Sequence, residues 1–289
     1  MRAQFAATIT DICEYNERVI LLYGDVGGYA FRNVKRAINC GISEQAMVSM
    51  AGGLAKAGMI PVVYTIAPFL AERALEQIKV NAYNNLPVIY VTVGASYDYA
   101  TMGATHHCPA DIPTLYNVPS LGLLCPGAPG EVDAMLKQAI DSGQSFYMRL
   151  SVERNGYDYS DTVIGKAIVN KKGCAEIGVI AIGNTLAQVS QAVRDLPEIT
   201  VVYLPTVRPL DMDTIRATCA GLKVVLVEPF YSTLSRDIAE CGVGRIINLS
   251  PRREFVHHYG TLRQMDKTAG IYYSDIRRAI WEISRPTTA

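Results

Sequence analysis

The sequence predicts an α/β protein made of two open, mostly parallel-sheet domains. Short continuous apolar runs recur at 19–23, 88–93 and 177–182, and turn residues punctuate them. Such runs mark parallel strands buried on both faces. Between them lie helical stretches of roughly ten to fifteen residues, the spacing that parallel crossovers need. The series breaks once, in a polar, turn-forming region, and then starts again. The expected organisation is a first domain at 1–155, a linker at 156–173 and a second domain at 174–289.

Residues 2–15 read as a helix. Val19-Ile20-Leu21-Leu22-Tyr23 ends in Gly24-Asp25, a strand with its C-terminal turn. A short segment at 34–39 leads into a helix over 43–58, with Met47, Met50, Ala51 and Leu54 on one stripe and Gly58 as its stop. Pro61-Val62-Val63-Tyr64 is a strand, 69–84 a helix and 88–93 a strand, followed by a loop at 94–108 rich in Gly, Ala, Tyr and His. Strands at 119–125 and 145–150 enclose a helix at 129–141. Glu153-Arg154-Asn155-Gly156-Tyr157-Asp158-Tyr159 opens the polar region and Lys171-Lys172-Gly173 closes it. The second series runs through strand 177–182, helix 184–195, strand 200–204, helix 211–220, strand 224–227, helix 232–241, strand 243–248 and helices to 284. The tail Pro286-Thr287-Thr288-Ala289 is expected to fray.

Bulk properties narrow the function classes. Among 289 residues, 27 Lys and Arg balance 27 Asp and Glu, so no basic surplus points to nucleic acid or to an anionic membrane. A near-neutral chain fits self-association. Seven scattered cysteines, odd in number and without a CxxC pair, argue against a disulfide framework and a structural zinc site. No apolar run reaches membrane-spanning length and the N-terminus has no signal-peptide core, so a cytoplasmic setting is expected.

Local motifs alone decide little. There is no GxGxxG after a strand, no GxxxxGK[ST], no GxSxG and no HExxH. Gly24-Asp25-Val26-Gly27-Gly28 is a strand–helix turn of the kind that faces the ligand crevice in parallel sheets, or simply a connection. His106-His107 is a packing feature or a site pair, and His257-His258 reads as helix surface. Glu44 follows Ser43, which is placed to cap the helix, and an acidic first turn suits the helix dipole without any catalysis.

The whole chain adds more. Asn39-Cys40-Gly41-Ile42-Ser43-Glu44-Gln45, Ala51-Gly52-Gly53-Leu54-Ala55, Gly58, Pro61, Thr65, Phe69, Arg73-Ala74 and Glu76-Gln77-Ile78 resemble the pyrimidine-binding domain of the transketolase family. The resemblance continues through Gly103-Ala104-Thr105-His106, Asp111-Ile112, Pro126 and Arg149 into Val207-Arg208-Pro209-Leu210-Asp211 and Val227-Glu228, in the family's order. It implies a pyrimidine-binding domain followed by a transketolase C-terminal-type domain. It also implies thiamine diphosphate as cofactor, with Glu44 as the carboxyl group that serves the aminopyrimidine. Phe69 sits where the family stacks an aromatic ring on that pyrimidine, with Ile66 at a second stacking position and Ile42 and Asp25 close to the cofactor. His106 matches a histidine near the donor substrate and counts with Glu44 as catalytic. Met102, Tyr29 and Arg149 fall at substrate positions, with Arg154 as the other arginine for a substrate phosphate.

The segment that holds magnesium and diphosphate in full-length transketolases, with its Gly-Asp-Gly motif, has no counterpart here. The resemblance therefore implies the C-terminal, or beta, half of a split transketolase. Its partner would be an N-terminal, or alpha, subunit holding Mg2+ and diphosphate, in an α2β2 assembly acting on a small-molecule substrate. Departures concern the substrate: Met102 replaces an Asp, Gly94 a His, and a Ser position falls near Tyr29. Loss of polar readers shifts specificity strongly. A non-standard sugar is expected for two-carbon ketol transfer. The alternatives are a pyruvate-using acyl transfer or decarboxylation, like 1-deoxyxylulose-phosphate synthase or the beta chains of 2-oxo-acid dehydrogenases, and a non-catalytic assembly role.

Overall fold

The computed structural model describes residues 1–285, so the expected fraying of 286–289 lies outside the described residues. Twelve strands are described: β1 (Val19–Tyr23), β2 (Ala37–Asn39), β3 (Ile60–Ile66), β4 (Ile89–Val93), β5 (Leu121–Leu124), β6 (Ser145–Arg149), β7 (Ile168–Lys171), β8 (Ile177–Ile182), β9 (Thr200–Leu204), β10 (Thr206–Arg208), β11 (Lys223–Val227) and β12 (Ile246–Leu249). They form two sheets, in the orders β10-β5-β6-β4-β3-β1-β2 and β12-β11-β8-β9-β7. Pairing is parallel throughout except at two edges, where β10 runs antiparallel to β5 and β7 antiparallel to β9. The expected α/β class with two mostly parallel sheets is what the chain adopts.

The central strands are apolar on both faces because helices cover both. In the first sheet, Leu22, Val63, Tyr90 and Tyr147 pack against the helices Glu44–Lys56 and Leu75–Tyr83 on one side. Leu21, Val62, Val91 and Met148 meet Arg2–Tyr15 and Pro129–Asp141 on the other. The two faces of the pleat thus feed two separate clusters.

Several elements differ from expectation for identifiable reasons. The helix expected at 69–84 is two helices, Ala67–Ala71 and Leu75–Tyr83. The N–H groups of Glu72 and Arg73 both reach back to the Pro68 carbonyl (3.1 and 3.2 Å), closing the first helix and placing Arg73 in the break. The helix at Glu44–Lys56 buries Met47, Val48, Ala51, Gly52 and Ala55, whereas Met50 is exposed. Ser43 precedes it but makes no side-chain capping bond. His257 and His258 lie outside any helix.

Two short strands cross the expected domain division. β7 falls inside the stretch expected to be linker and forms the edge of the second sheet. β10 follows β9 almost directly yet joins the first sheet. Arg208, at the end of β10, donates to the carbonyls of Tyr116, Val118 and Leu121 and lies over the Tyr116 ring, 4.4 Å from its centroid. Glu131 ties the two units from the other face. It accepts hydrogen bonds from Gly127 N, Asn155 Nδ2 and the Tyr203 hydroxyl, and burial raises its pKa. Glu228, within the second unit, is likewise held by hydrogen bonds. Glu228 accepts from the backbone of Thr233 and Leu234 and from Asn248 Nδ2.

Candidate functional site

In open parallel sheets, ligands bind beyond the carboxyl ends of the strands. Here the ends of β1 and β3 lie beside the head of the helix Glu44–Lys56, and β4 ends next to β3. Glu44 is 1% exposed. Its Oε2 pairs with Arg73 Nη1 at 2.6 Å, and its Oε1 receives only a long contact, 3.4 Å, from the Thr65 hydroxyl on β3. The backbone beyond β1 closes on the same group. A Cβ at Gly24 would stand 3.2 Å from Thr65 Oγ1 and 3.4 Å from Glu44 Oε1, so glycine leaves the room beside that oxygen.

An aromatic wall stands next to the carboxylate. Phe69 is half-buried, with the Arg73 guanidinium carbon 4.4 Å from its ring centroid. The His106 ring meets Phe69 edge-on at 5.3 Å and Tyr99 at 5.7 Å, and its Nδ1 lies 2.9 Å from the Thr105 hydroxyl. At the end of β4, Gly94 has a φ of +78°, and a Cβ there would fall 2.3 Å from the Tyr99 ring and 3.3 Å from Ile66. Tyr99 therefore fills the space that a larger residue at 94 would claim. His107, by contrast, is buried with its Nε2 unpartnered, and burial lowers its pKa.

The sequence-expected residues thus divide. Glu44, Phe69, His106 and Ile66 gather at one strand-end edge. Asp25 occupies the turn after β1 with φ +63°, its backbone N–H donating to Asn39 Oδ1 and its carboxylate accepting from Asn39 Nδ2, both at 3.1 Å. Ile42, Tyr29 and Met102 stand on the surface at 74%, 79% and 51% exposure. Arg149 is 3% exposed, bound through Nε to Asp111 Oδ2 at 2.7 Å and through Nη2 to the Ser96 hydroxyl at 2.5 Å. Of the two arginines considered, Arg154 is the exposed one. Sequence reasoning gave no site role to Arg73, Thr65 or Tyr99. The four-residue spacing from Phe69 to Arg73, which places side chains on one helical face, was the available signal for Arg73.

Comparisons with known proteins show the family. The chain belongs to the transketolase family: residues 1–155 match the model of the transketolase pyrimidine-binding domain. An uncharacterized 33.6 kDa protein in the fasciation locus of Rhodococcoides fascians is 34% identical over 285 residues, covering 94% of this chain and 90% of that one. An apulose-4-phosphate transketolase subunit from Actinobacillus succinogenes is 31% identical over 202 residues, 66% of this chain and 64% of that protein. A solved split gene transketolase, an inactive beta4 tetramer, shares the fold with a TM-score of 0.86 at 22% identity, covering 98% of this chain and 97% of that one.

Proposed function

We propose that this chain is the C-terminal subunit of a split transketolase-like enzyme and holds the aminopyrimidine of thiamine diphosphate for two-carbon ketol transfer. The observation that carries the reading is the burial of Glu44. A glutamate that only suited the helix dipole would remain in water. This one is sunk at the carboxyl edge of a parallel sheet, a placement that costs free energy unless the group is partnered.

The residues present fit the aminopyrimidine half of the cofactor. They offer a carboxyl group with one lightly engaged oxygen, a half-buried phenyl face at Phe69, and a glycine at 24 that keeps the space beside Oε1 clear. When bound, thiamine diphosphate supplies the nucleophilic carbon and the electron sink for carbon–carbon bond cleavage. Glu44 holds and returns one proton at a carboxyl oxygen; Phe69 orients and shields; His106, packed on Phe69, faces the donor substrate. Among the described residues, no group of three or more His, Cys, Asp or Glu is arranged to hold a metal ion. Mg2+ and diphosphate are assigned to a separate N-terminal subunit in an α2β2 assembly. Two named relatives support the split arrangement, an apulose-4-phosphate transketolase subunit and a split gene transketolase chain.

The crowding of Gly94 by Tyr99 and the apolar Met102 favour a donor other than the standard pentose phosphate. Glu44→Gln keeps the side chain's volume and tests the proposal. The reconstituted pair is expected to assemble and bind cofactor but to lose turnover by about 10^2- to 10^4-fold, the usual worth of a positioned proton donor or acceptor. Near-wild-type turnover in this variant would overturn the reading.

A further inference from the structure

Arg73 makes, by itself, the two contacts that the proposed aminopyrimidine would need. One nitrogen of its guanidinium donates to Glu44 Oε2 at 2.6 Å, and its central carbon lies over the Phe69 ring, 4.4 Å from the centroid. A heteroaromatic ring held by Glu44 and stacked on Phe69 draws on the same carboxyl group and the same phenyl ring, with Arg73 engaging Oε2 and leaving Oε1 lightly held. The exposures say which one has somewhere to go: the Arg73 side chain is 41% exposed, whereas Glu44 is 1% exposed. Arg73 thus lies on the solvent side as the cover over a carboxylate that would otherwise meet water. Its position in the break between the helices Ala67–Ala71 and Leu75–Tyr83 places it there.

We propose that Arg73 is a built-in competitor for the aminopyrimidine: its guanidinium occupies the Glu44–Phe69 seat, and the cofactor's ring enters by displacing it. The proposal rests on the reading of Glu44 given above. It gives the chain a latent state in which the buried carboxylate keeps a counter-charge until cofactor and partner arrive. Apparent affinity for the ring is then the intrinsic affinity reduced by the fraction of chains with Arg73 swung away.

Calorimetric titration of the full chain with 4-amino-5-hydroxymethyl-2-methylpyrimidine, the uncharged pyrimidine half of the cofactor, tests this. Arg73→Met removes the charge and the planar head while keeping side-chain length. It is expected to bind the pyrimidine about tenfold tighter than wild type, because a charge-assisted hydrogen bond no longer has to be broken first. Arg73→Lys preserves a counter-charge for Glu44 and so protects folding, but it has no flat face to lay on Phe69. Its affinity is expected to lie between the two. Equal or weaker binding by both variants, with binding abolished by Glu44→Ala, overturns the competitor role and leaves the reading of Glu44 standing. Absence of binding in every variant overturns the competitor role alone, because the partner subunit completes the site, and binding that survives Glu44→Ala in the Arg73→Met background overturns both.

Discussion

At the scale of single residues, two buried carboxylates show how partners set a role. Glu44 and Asp111 are 1% and 0% exposed, and each faces an arginine. The Glu44 partner is 41% exposed and can move into water; the Asp111 partner, Arg149, is 3% exposed and cannot. Asp111 also accepts from the Tyr147 hydroxyl at 2.8 Å and from the Ile112 N–H at 2.9 Å. It is therefore the hub of a closed polar network under the sheet. Asp111→Asn strands the Arg149 charge in the interior and is expected to cost about 3–5 kcal/mol of stability, read by denaturant unfolding. A loss below about 1 kcal/mol would show the network to be slack. Position 149 drew attention in the sequence because of where it falls in the motif order. Its burial was not legible there, since its counter-ion lies 38 positions away in sequence.

At the scale of elements, what the sequence made legible was whatever depends on continuous apolar patterning. The central strands β1, β3, β4, β8, β9 and β11 are buried on both faces and read as unbroken runs. The edge strands β7 and β10 are short and carry Asn, Lys, Thr and Arg, so they look like linker or turn. The break at 72–74 was hidden for a different reason. Glu, Arg and Ala are good helix formers, and the interruption comes from backbone N–H groups converging on Pro68. That same hidden break positions Arg73, which is why the site's cation escaped the sequence reading while Glu44 and Phe69 did not. Close packing between elements makes its own prediction. A Cβ at Gly52 would lie 2.2 Å from Asn81 Oδ1, and Asn81 is fixed by donating to the Val48 carbonyl and the Tyr90 hydroxyl, both at 3.0 Å. Gly52→Ala is expected to push the helix Glu44–Lys56 away from the helix Leu75–Tyr83 and destabilise by about 1–3 kcal/mol, despite the better helix propensity of alanine. Thermal unfolding checks the sign.

At the scale of the whole molecule, the two sheet units are joined by more than a tether. β10 completes the first sheet, and Arg208 and Glu131 bond across the junction. Burial, then the charges of Glu153 and Asp98, pushes Asp266 up from 3.8 to about 7. Between those two values the folded chain holds a proton that the unfolded chain has released. Stability therefore falls as pH rises through that window and levels off above it. Asp266→Asn removes the ionisation, so its melting temperature is expected to exceed wild type by a few degrees at about pH 8 and to converge with it near pH 4. A difference that persists at low pH would place the effect elsewhere.

On the proposed reading, Glu44 is the proton-handling group of half an active site, completed by a second subunit. The most direct measurement is thiamine diphosphate binding and donor turnover for this chain alone, for its mixture with a diphosphate-binding transketolase subunit, and for the mixture carrying Glu44→Gln. Tight binding is expected only in the mixtures, and turnover only with Glu44 present. Turnover by the chain alone, or by the Glu44→Gln mixture at the wild-type rate, would contradict it.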